Sequence, residues 1–287
     1  MQDDHPLAYE DDAFLHSADA RPIRILAEYL DPLRRFRAHN IQDTVVFFGS
    51  ARVLSRTLAQ RKLTRLMNDT GHRKADYRAA LKRRQKALEW SRYYEDARAL
   101  ARLLTKWSMS LDAERHRFVV CSGGGPGIME AANRGAKEAG GKSIGLNIRL
   151  PFEQAPNRYI SKDLVFNFHY FFMRKFWFAY MAKALVIFPG GFGTIDEMFE
   201  ILTLAQTQKL SKQLLVILYG SEYWNEVFNL QPLADWGAIN EEDLNLLRRV
   251  DSVPAAFDVL KKHLLAHHMV PETVQETKAP GIAKTLG

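Results

Sequence analysis

Ala184-Leu-Val-Ile-Phe-Pro-Gly-Gly-Phe-Gly-Thr194 is the stretch of sequence that decides the fold. Its first five residues form a short apolar run, which is typical of a buried strand, and the glycines that follow predict a tight turn. Over residues 195–206 the apolar side chains then recur at helical spacing. A buried strand that turns through glycines into a helix is the repeating unit of a parallel α/β sheet.

Apolar runs of the same kind alternate with helical patterns along the chain. The predicted strands cover residues 44–48, 118–121, 143–147, 164–168, 184–188 and 214–218, and the last of them closes the sheet. The predicted helices cover residues 22–38, 90–109, 128–139, 170–182, 195–206, 222–229, 241–250 and 255–268. This alternation predicts an α/β fold, a doubly wound parallel sheet (Rossmann-like) with helices on both faces.

The 287 residues are predicted to form a single α/β domain with three additions. These are an N-terminal helical arm (1–40), a basic helical insertion (53–89) and a polar tail (270–287) that we expect to be disordered. Residues 52–92 hold 13 Lys or Arg and 3 Asp or Glu, so a chain of net charge +7 carries +10 there and −3 elsewhere. Apolar residues at helical spacing favour a solvated helix pair, and nucleic-acid binding is the less favoured alternative.

The composition limits the class of protein. The single cysteine, Cys121, excludes a disulfide framework and a Cys-rich metal site, and it favours a reducing compartment. The first residues show no basic start followed by an apolar core, so we expect no secretory signal. Charged residues interrupt the most apolar stretch, 164–189, so we expect no membrane span. The chain is therefore predicted to be soluble and cytoplasmic.

Small or glycine-rich turns follow three of the predicted strands, at residues 49–52, 122–127 and 189–194. Ligands of doubly wound sheets bind at the carboxyl ends of the strands, where glycines let N–H groups approach a phosphate at a helix start. Three such turns together favour a phosphate-bearing ligand. None of these turns continues into the Gly-Lys-Ser/Thr of a P-loop, and Glu130 stands where a dinucleotide fingerprint needs a small residue, so both standard phosphate sites are disfavoured.

Charged residues close to the third turn are candidates for chemistry. Asp196 and Glu197 lie in the first turn of the helix after it. They either stabilise the helix dipole or, if a phosphate is bound there, at least one of them points towards the sugar. Arg174 and Lys175 lie about 100° apart on an otherwise apolar helix, so an anion is expected nearby, either Glu197 or a substrate phosphate. The alternative is that these cations reach solvent or pair across a subunit interface. His169 has no second ligand at metal spacing, and no metal is predicted.

These residues resemble the LOG family, the cytokinin riboside 5′-monophosphate phosphoribohydrolases, formerly labelled "lysine decarboxylase-like". The shared signature is an Arg-Lys pair, here Arg174-Lys175, followed by Pro189-Gly-Gly-Phe-Gly-Thr-Ile-Asp-Glu197. The turn at 49–52 and the run at 123–129 are similar too, so the resemblance covers about residues 41–265. It implies hydrolysis of the N-glycosidic bond of a nucleoside 5′-monophosphate, a cytokinin riboside 5′-monophosphate or AMP, to free base and ribose 5-phosphate.

The resemblance also assigns residues to roles. It makes Arg174 and Glu197 catalytic, and it requires no cofactor. It implies substrate binding by Gly49, Ser50, Arg52, Gly124, Gly125, Met129, Lys175, Gly190, Gly191, Gly193 and Thr194. It further implies a homo-oligomer, a dimer or a multiple of dimers.

The arm, the insertion and the long C-terminal region depart from the compact family pattern. Similar long forms exist in the family and some act on ordinary purine nucleotides, so the choice between cytokinin nucleotides and AMP stays open. The alternative function is a non-catalytic nucleotide or cofactor carrier or sensor on the same fold. An amino-acid decarboxylase is disfavoured, because Lys175 has no evident pyridoxal-phosphate context.

Overall fold

A computed structural model describes residues 6–69, 74–151, 155–207, 209 and 213–269. The tail predicted at 270–287 lies outside these ranges. The strands are β1 (Thr44–Phe48), β2 (Val119–Ser122), β3 (Ser143–Ile148), β4 (Val165–Phe168), β5 (Ala182–Ile187), β6 (Leu215–Tyr219) and β7 (Leu247–Val250). The helices are α1 (Asp12–His16), α2 (Arg21–Ala38), α3 (Arg56–Met67), α4 (Lys74–Met109), α5 (Ile128–Glu138), α6 (Phe171–Met181), α7 (Phe192–Gln206), α8 (Ser221–Val227), α9 (Gln231–Asp235) and α10 (Val253–His268).

The described strands form one sheet in the order β4-β3-β2-β1-β5-β6-β7, and every neighbouring pair is parallel. The chain builds the sheet outward from β1 to β4, then crosses back and continues from β5 to β7 on the other side of β1. The predicted doubly wound α/β fold is confirmed. The order reverses between β1 and β5, and this point is where ligands of such sheets bind.

Each face of the sheet carries its own apolar core. Along β1, Val46 and Phe48 pack into one core with side chains of α2, α6, α7 and α8, whereas Val45 and Phe47 pack into the other with α4, α5 and α10. Successive side chains of a strand point to opposite faces, so an uninterrupted apolar strand supplies both cores at once. All five residues of β1 are buried, which explains why the apolar runs located the strands.

The end of the sheet differs from the prediction. A helix was predicted over residues 241–250, but only Glu241–Leu246 form a 3₁₀ helix, and Leu247–Val250 form β7 at the edge of the sheet. The strand predicted at 214–218 therefore does not close the sheet. Two of the four β7 residues, Arg248 and Arg249, are exposed. Charged side chains are common on edge strands, which are open on one side, and they leave no apolar run to recognise.

The basic insertion forms helices but is not separate from the helix that follows it. A helix was predicted to begin at Trp90, but α4 begins at Lys74 and continues for 36 residues. Among the described side chains of α4, which begin at residue 76, the first buried one is Ser91, and α4 also packs against α3. The change from an exposed to a buried pattern at Trp90 was mistaken for a helix start.

The helices of the described ranges are all too short or too polar to cross a lipid bilayer.

Candidate functional site

Backbone hydrogen bonds join the three predicted turns at the point where the strand order reverses. The N–H of Ser50, after β1, donates to the carbonyl of Pro189, after β5, at 3.0 Å. The N–H of Ile128, at the start of α5, donates to the carbonyl of Ser50 at 3.2 Å. Gly127 has φ of +72°, and a Cβ atom there would collide with this carbonyl. The first turn therefore sits between the other two, and glycine is needed where they meet.

The turn after β5 presents open backbone at the start of α7. A Cβ atom at Gly190 would collide with the side chain of Thr194, whereas one at Gly191 or Gly193 would meet no atom within 4 Å. No side chain caps α7, and the first N–H groups of a helix have no partner within it. The carbonyl of Gly190 is fixed by the Tyr223 hydroxyl, which donates to it at 2.8 Å. These features suit an anion approaching between Gly191 and Gly193.

Asparagine side chains hold the glycine run after β2. Gly124 has φ of +71°, and its Cα lies so close to Asn147 that a Cβ atom would collide with the amide. The Asn157 side-chain amide donates to the carbonyls of Gly124 at 3.0 Å and Gly125 at 3.1 Å. It also donates to the Asn133 side-chain oxygen at 2.9 Å. The carbonyl groups of the run are thus bound by protein and its conformation is fixed.

Arg174 extends from α6 towards this glycine run. Its Nε donates to the carbonyl of Leu146 at 2.8 Å, and its guanidinium lies over the ring of Phe178 at 5.1 Å. A Cβ atom at Gly123 would lie 2.5 Å from Nη2 of Arg174 and 2.7 Å from Sδ of Met129. The structure therefore brings Arg174, Met129 and the glycine run together. A side chain at position 123 would require the guanidinium or the Met129 sulfur to shift.

Glu197 is a buried carboxyl group on the first turns of α7. The residue is 6% exposed, and this burial raises the pKa of Glu197 to about 7, although the positive charges of Arg174 and Lys175 oppose the shift. Burial lowers the pKa of Arg174, and Glu197 is the largest opposing influence. The charges of the two groups therefore interact with each other. A carboxyl group that exchanges its proton near neutral pH is typical of active sites.

Lys175 has different partners from Arg174. Its amine lies 2.8 Å from Asp196 and 2.8 Å from Glu200, both on α7. These partners raise the pKa of Lys175 above its ordinary value, against the opposing effect of burial. Lys175 therefore links α6 to α7 through Asp196 and Glu200. Its contact with a substrate phosphate stays a prediction.

The remaining predicted residues belong to the first turn, after β1. Gly49 is close to Ile128, and Ser50 links the first turn to its neighbours. Arg52 is exposed, so its predicted contact with substrate also stays a prediction. Within the described ranges no group of three His, Cys, Asp or Glu side chains is placed to hold a metal ion.

Three polar residues of the site were missed from the sequence. Asn147 ends a predicted strand, and that position at a carboxyl end was the available signal. Asn157 and Tyr223 contact the glycine turns from 33 residues away in the chain, and no local pattern marks them.

The comparisons with known proteins agree with the motifs. The family model described as "possible lysine decarboxylase" matches residues 129–260. The cytokinin riboside 5′-monophosphate phosphoribohydrolase LOG2 of Arabidopsis thaliana is 22% identical over 156 residues, which cover 54% of this chain and 72% of that protein.

Solved structures with a similar chain trace include two molybdenum-cofactor proteins. The molybdenum cofactor binding protein of Rippkaea orientalis is 21% identical with a TM-score of 0.42, over 59% of this chain and 86% of that one. The molybdenum cofactor carrier protein of Chlamydomonas reinhardtii is 18% identical with a TM-score of 0.42, over 78% and 99% of the two chains. The family match and the phosphoribohydrolase relative agree with the Arg-Lys pair and the glycine motif, and together they support the resemblance to the LOG family.

Proposed function

We propose that this protein hydrolyses the N-glycosidic bond of a nucleoside 5′-monophosphate and releases free base and ribose 5-phosphate. Cytokinin riboside 5′-monophosphates and AMP are the proposed substrates. The resemblance to the LOG family and the name of the Arabidopsis relative support this activity.

The observation that carries the proposal is the placement of Glu197 beside the phosphate turn. It lies on α7, one helical turn after the open glycines, and it is buried opposite Arg174. A nucleotide whose phosphate sits on the N–H groups of Gly191 to Gly193 extends its ribose into the same small region. Glu197 is then the acid available to the sugar, because Asp196 is paired with Lys175.

The chemistry needs both charges of the site. Breaking the bond between C1′ and the base nitrogen leaves positive charge on the ribose, and water adds at C1′ while a proton passes to the departing base. In the proposed mechanism ionised Glu197 stabilises the oxocarbenium-like state and orients the water. Arg174, which carries a permanent positive charge, donates hydrogen bonds to the nucleotide. No cofactor takes part in this scheme.

The test is product formation from a panel of monophosphates. Purified protein is incubated with AMP, isopentenyl-AMP and the other common nucleoside monophosphates, and free base and ribose 5-phosphate are both quantified. We expect both products in equal amounts from at least one substrate. Glu197→Gln should lower kcat by at least ~10²-fold, the scale for one lost electrostatic stabiliser. Glu200→Gln is the matched control, because it removes a carboxylate one turn further along α7 that faces Lys175.

The pH dependence adds a second readout. Because the ionised form of Glu197 is the active one in this scheme and its pKa is about 7, kcat/KM should rise with pH up to about 7 and then level off. A profile that falls through this range would assign the active form to protonated Glu197 and contradict the scheme. No turnover of any monophosphate, or full activity in Glu197→Gln, would contradict the proposal itself. Tight nucleotide binding without turnover would favour a carrier or sensor.

A further inference from the structure

The N-terminal arm reaches the start of the helix that carries Arg174. Glu28, in the middle of α2, accepts the backbone N–H of His169 at 2.6 Å and that of Tyr170 at 3.3 Å. These two N–H groups lie just before α6. No side chain of the flanking residues caps α6, so Glu28 supplies the acceptor from a distant part of the chain.

The arm is held in register by further contacts on the same helix. The indole N–H of Trp177 donates to the carbonyl of Glu28 at 3.0 Å. The ring of Tyr29 lies 5.6 Å from that of Phe176 and 5.7 Å from that of Trp177. The Glu28 carboxylate therefore belongs to a packed interface between α2 and α6 and is not a loose surface group.

Arg174 lies on the first turn of α6, directly after the two N–H groups that Glu28 binds. The first helical hydrogen bond of α6 runs from the N–H of Arg174 to the carbonyl of Tyr170, at 3.2 Å. Helix ends fray where their N–H groups have no acceptor, and a carboxylate at this end also answers the helix dipole. Without Glu28 the first turn opens more often, and the Arg174 side chain loses the backbone position from which it reaches Leu146.

We propose that Glu28 is a positioning residue, which holds the first turn of α6 and through it Arg174 in the geometry that the reaction needs. This inference rests on the proposed function, because that function is what gives Arg174 a role in binding the nucleotide. It also gives the N-terminal arm a role in the site, although the family match covers only residues 129–260.

The test is a double-mutant cycle in the full chain. Glu28→Ala should lower kcat/KM about tenfold, the size of losing one helix cap, and Glu28→Gln should lower it less because one oxygen still accepts. Asp31→Asn is the matched control: it lies one turn along α2, and among the described residues its carboxylate pairs with Arg34 and Arg35. In an Arg174→Ala background, Glu28→Ala should cost less than twofold, because the residue acts through Arg174. Equal losses in both backgrounds would overturn the inference.

Hydrogen exchange supplies a readout that does not depend on turnover. Glu28→Ala should speed amide exchange in residues 169–175, and Asp31→Asn should leave that segment as it is in the wild type. Unchanged exchange in Glu28→Ala would overturn the inference even if activity fell. If the wild type hydrolyses no monophosphate, the proposed function fails and Glu28 has no reaction to serve, so the inference fails with it. Faster exchange of α6 in Glu28→Ala would then show that Glu28 stabilises the start of the helix without serving this reaction.

Discussion

Replacing Glu197 by Gln should stabilise the protein above neutral pH while it removes activity. Burial raises the pKa of Glu197 from 4.5 to about 7. In the unfolded chain the group ionises at its ordinary pKa, so between pH 4.5 and 7 the unfolded state binds fewer protons than the folded state. The free energy of unfolding therefore falls as pH rises through this window. Gln has the same shape and no proton to lose.

The size of the effect follows from the shift. Each pKa unit corresponds to about 1.36 kcal/mol, so the full difference is about 3 kcal/mol and is reached by about pH 8. At pH 5 most of this loss of stability has not yet occurred. The stability of Glu197→Gln relative to the wild type should therefore improve by about 2 to 3 kcal/mol between pH 5 and pH 8. This is a large fraction of the stability of an ordinary domain.

Urea unfolding of both proteins at pH 5 and pH 8, followed by circular dichroism, measures this change. Other buried acids titrate as well, since burial also raises the pKa of Asp43, and taking the difference between the two proteins removes their contribution. The pH 5 measurement is the internal control for any change in packing caused by the amide. A stability difference that is the same at both pH values would refute the reasoning, because it would mean that Glu197 is not held neutral by burial.

Two further predictions concern the turn at residues 189–194 and the oligomeric state. Gly191→Ala should leave the melting temperature nearly unchanged, because its Cβ meets no atom within 4 Å, but it should raise KM for the nucleotide. Gly190→Ala should destabilise the fold, because its Cβ collides with Thr194. Equal KM values for Gly191→Ala and the wild type would argue against phosphate binding at this turn. Sedimentation velocity should give a dimer of about 66 kDa or a multiple of it from the 32.9 kDa chain, since the resemblance to the LOG family implies a homo-oligomer. A species at the monomer mass would contradict this.

The central strands and their turns could be predicted because their signals are local. β1 is a continuous run of buried residues that ends at glycine, and the central position of the sheet requires this pattern. β7 was missed because it lies at the edge, where two of its four side chains face water. The length of α4 was missed because residues 76–90, all within the described part of the chain, contain no buried side chain.

The candidate site was predictable to a similar degree. Arg174 and Glu197 stand in short motifs that can be recognised by their resemblance to a known family. In the structure each of these two side chains influences the pKa of the other. Glu28 was not predictable, because 141 residues separate it from the N–H group that it accepts. A contact of that kind depends on how the arm packs, and no local spacing encodes it.

The long helix α4 has a mechanical consequence. Its 36 residues make a rod of about 54 Å, several times the length of a strand in the sheet. The ring of Trp90 lies 5.5 Å from that of Tyr223, the residue whose hydroxyl holds the Gly190 carbonyl. Trp90 therefore connects the exposed first part of α4 to the turn at residues 189–194 through Tyr223.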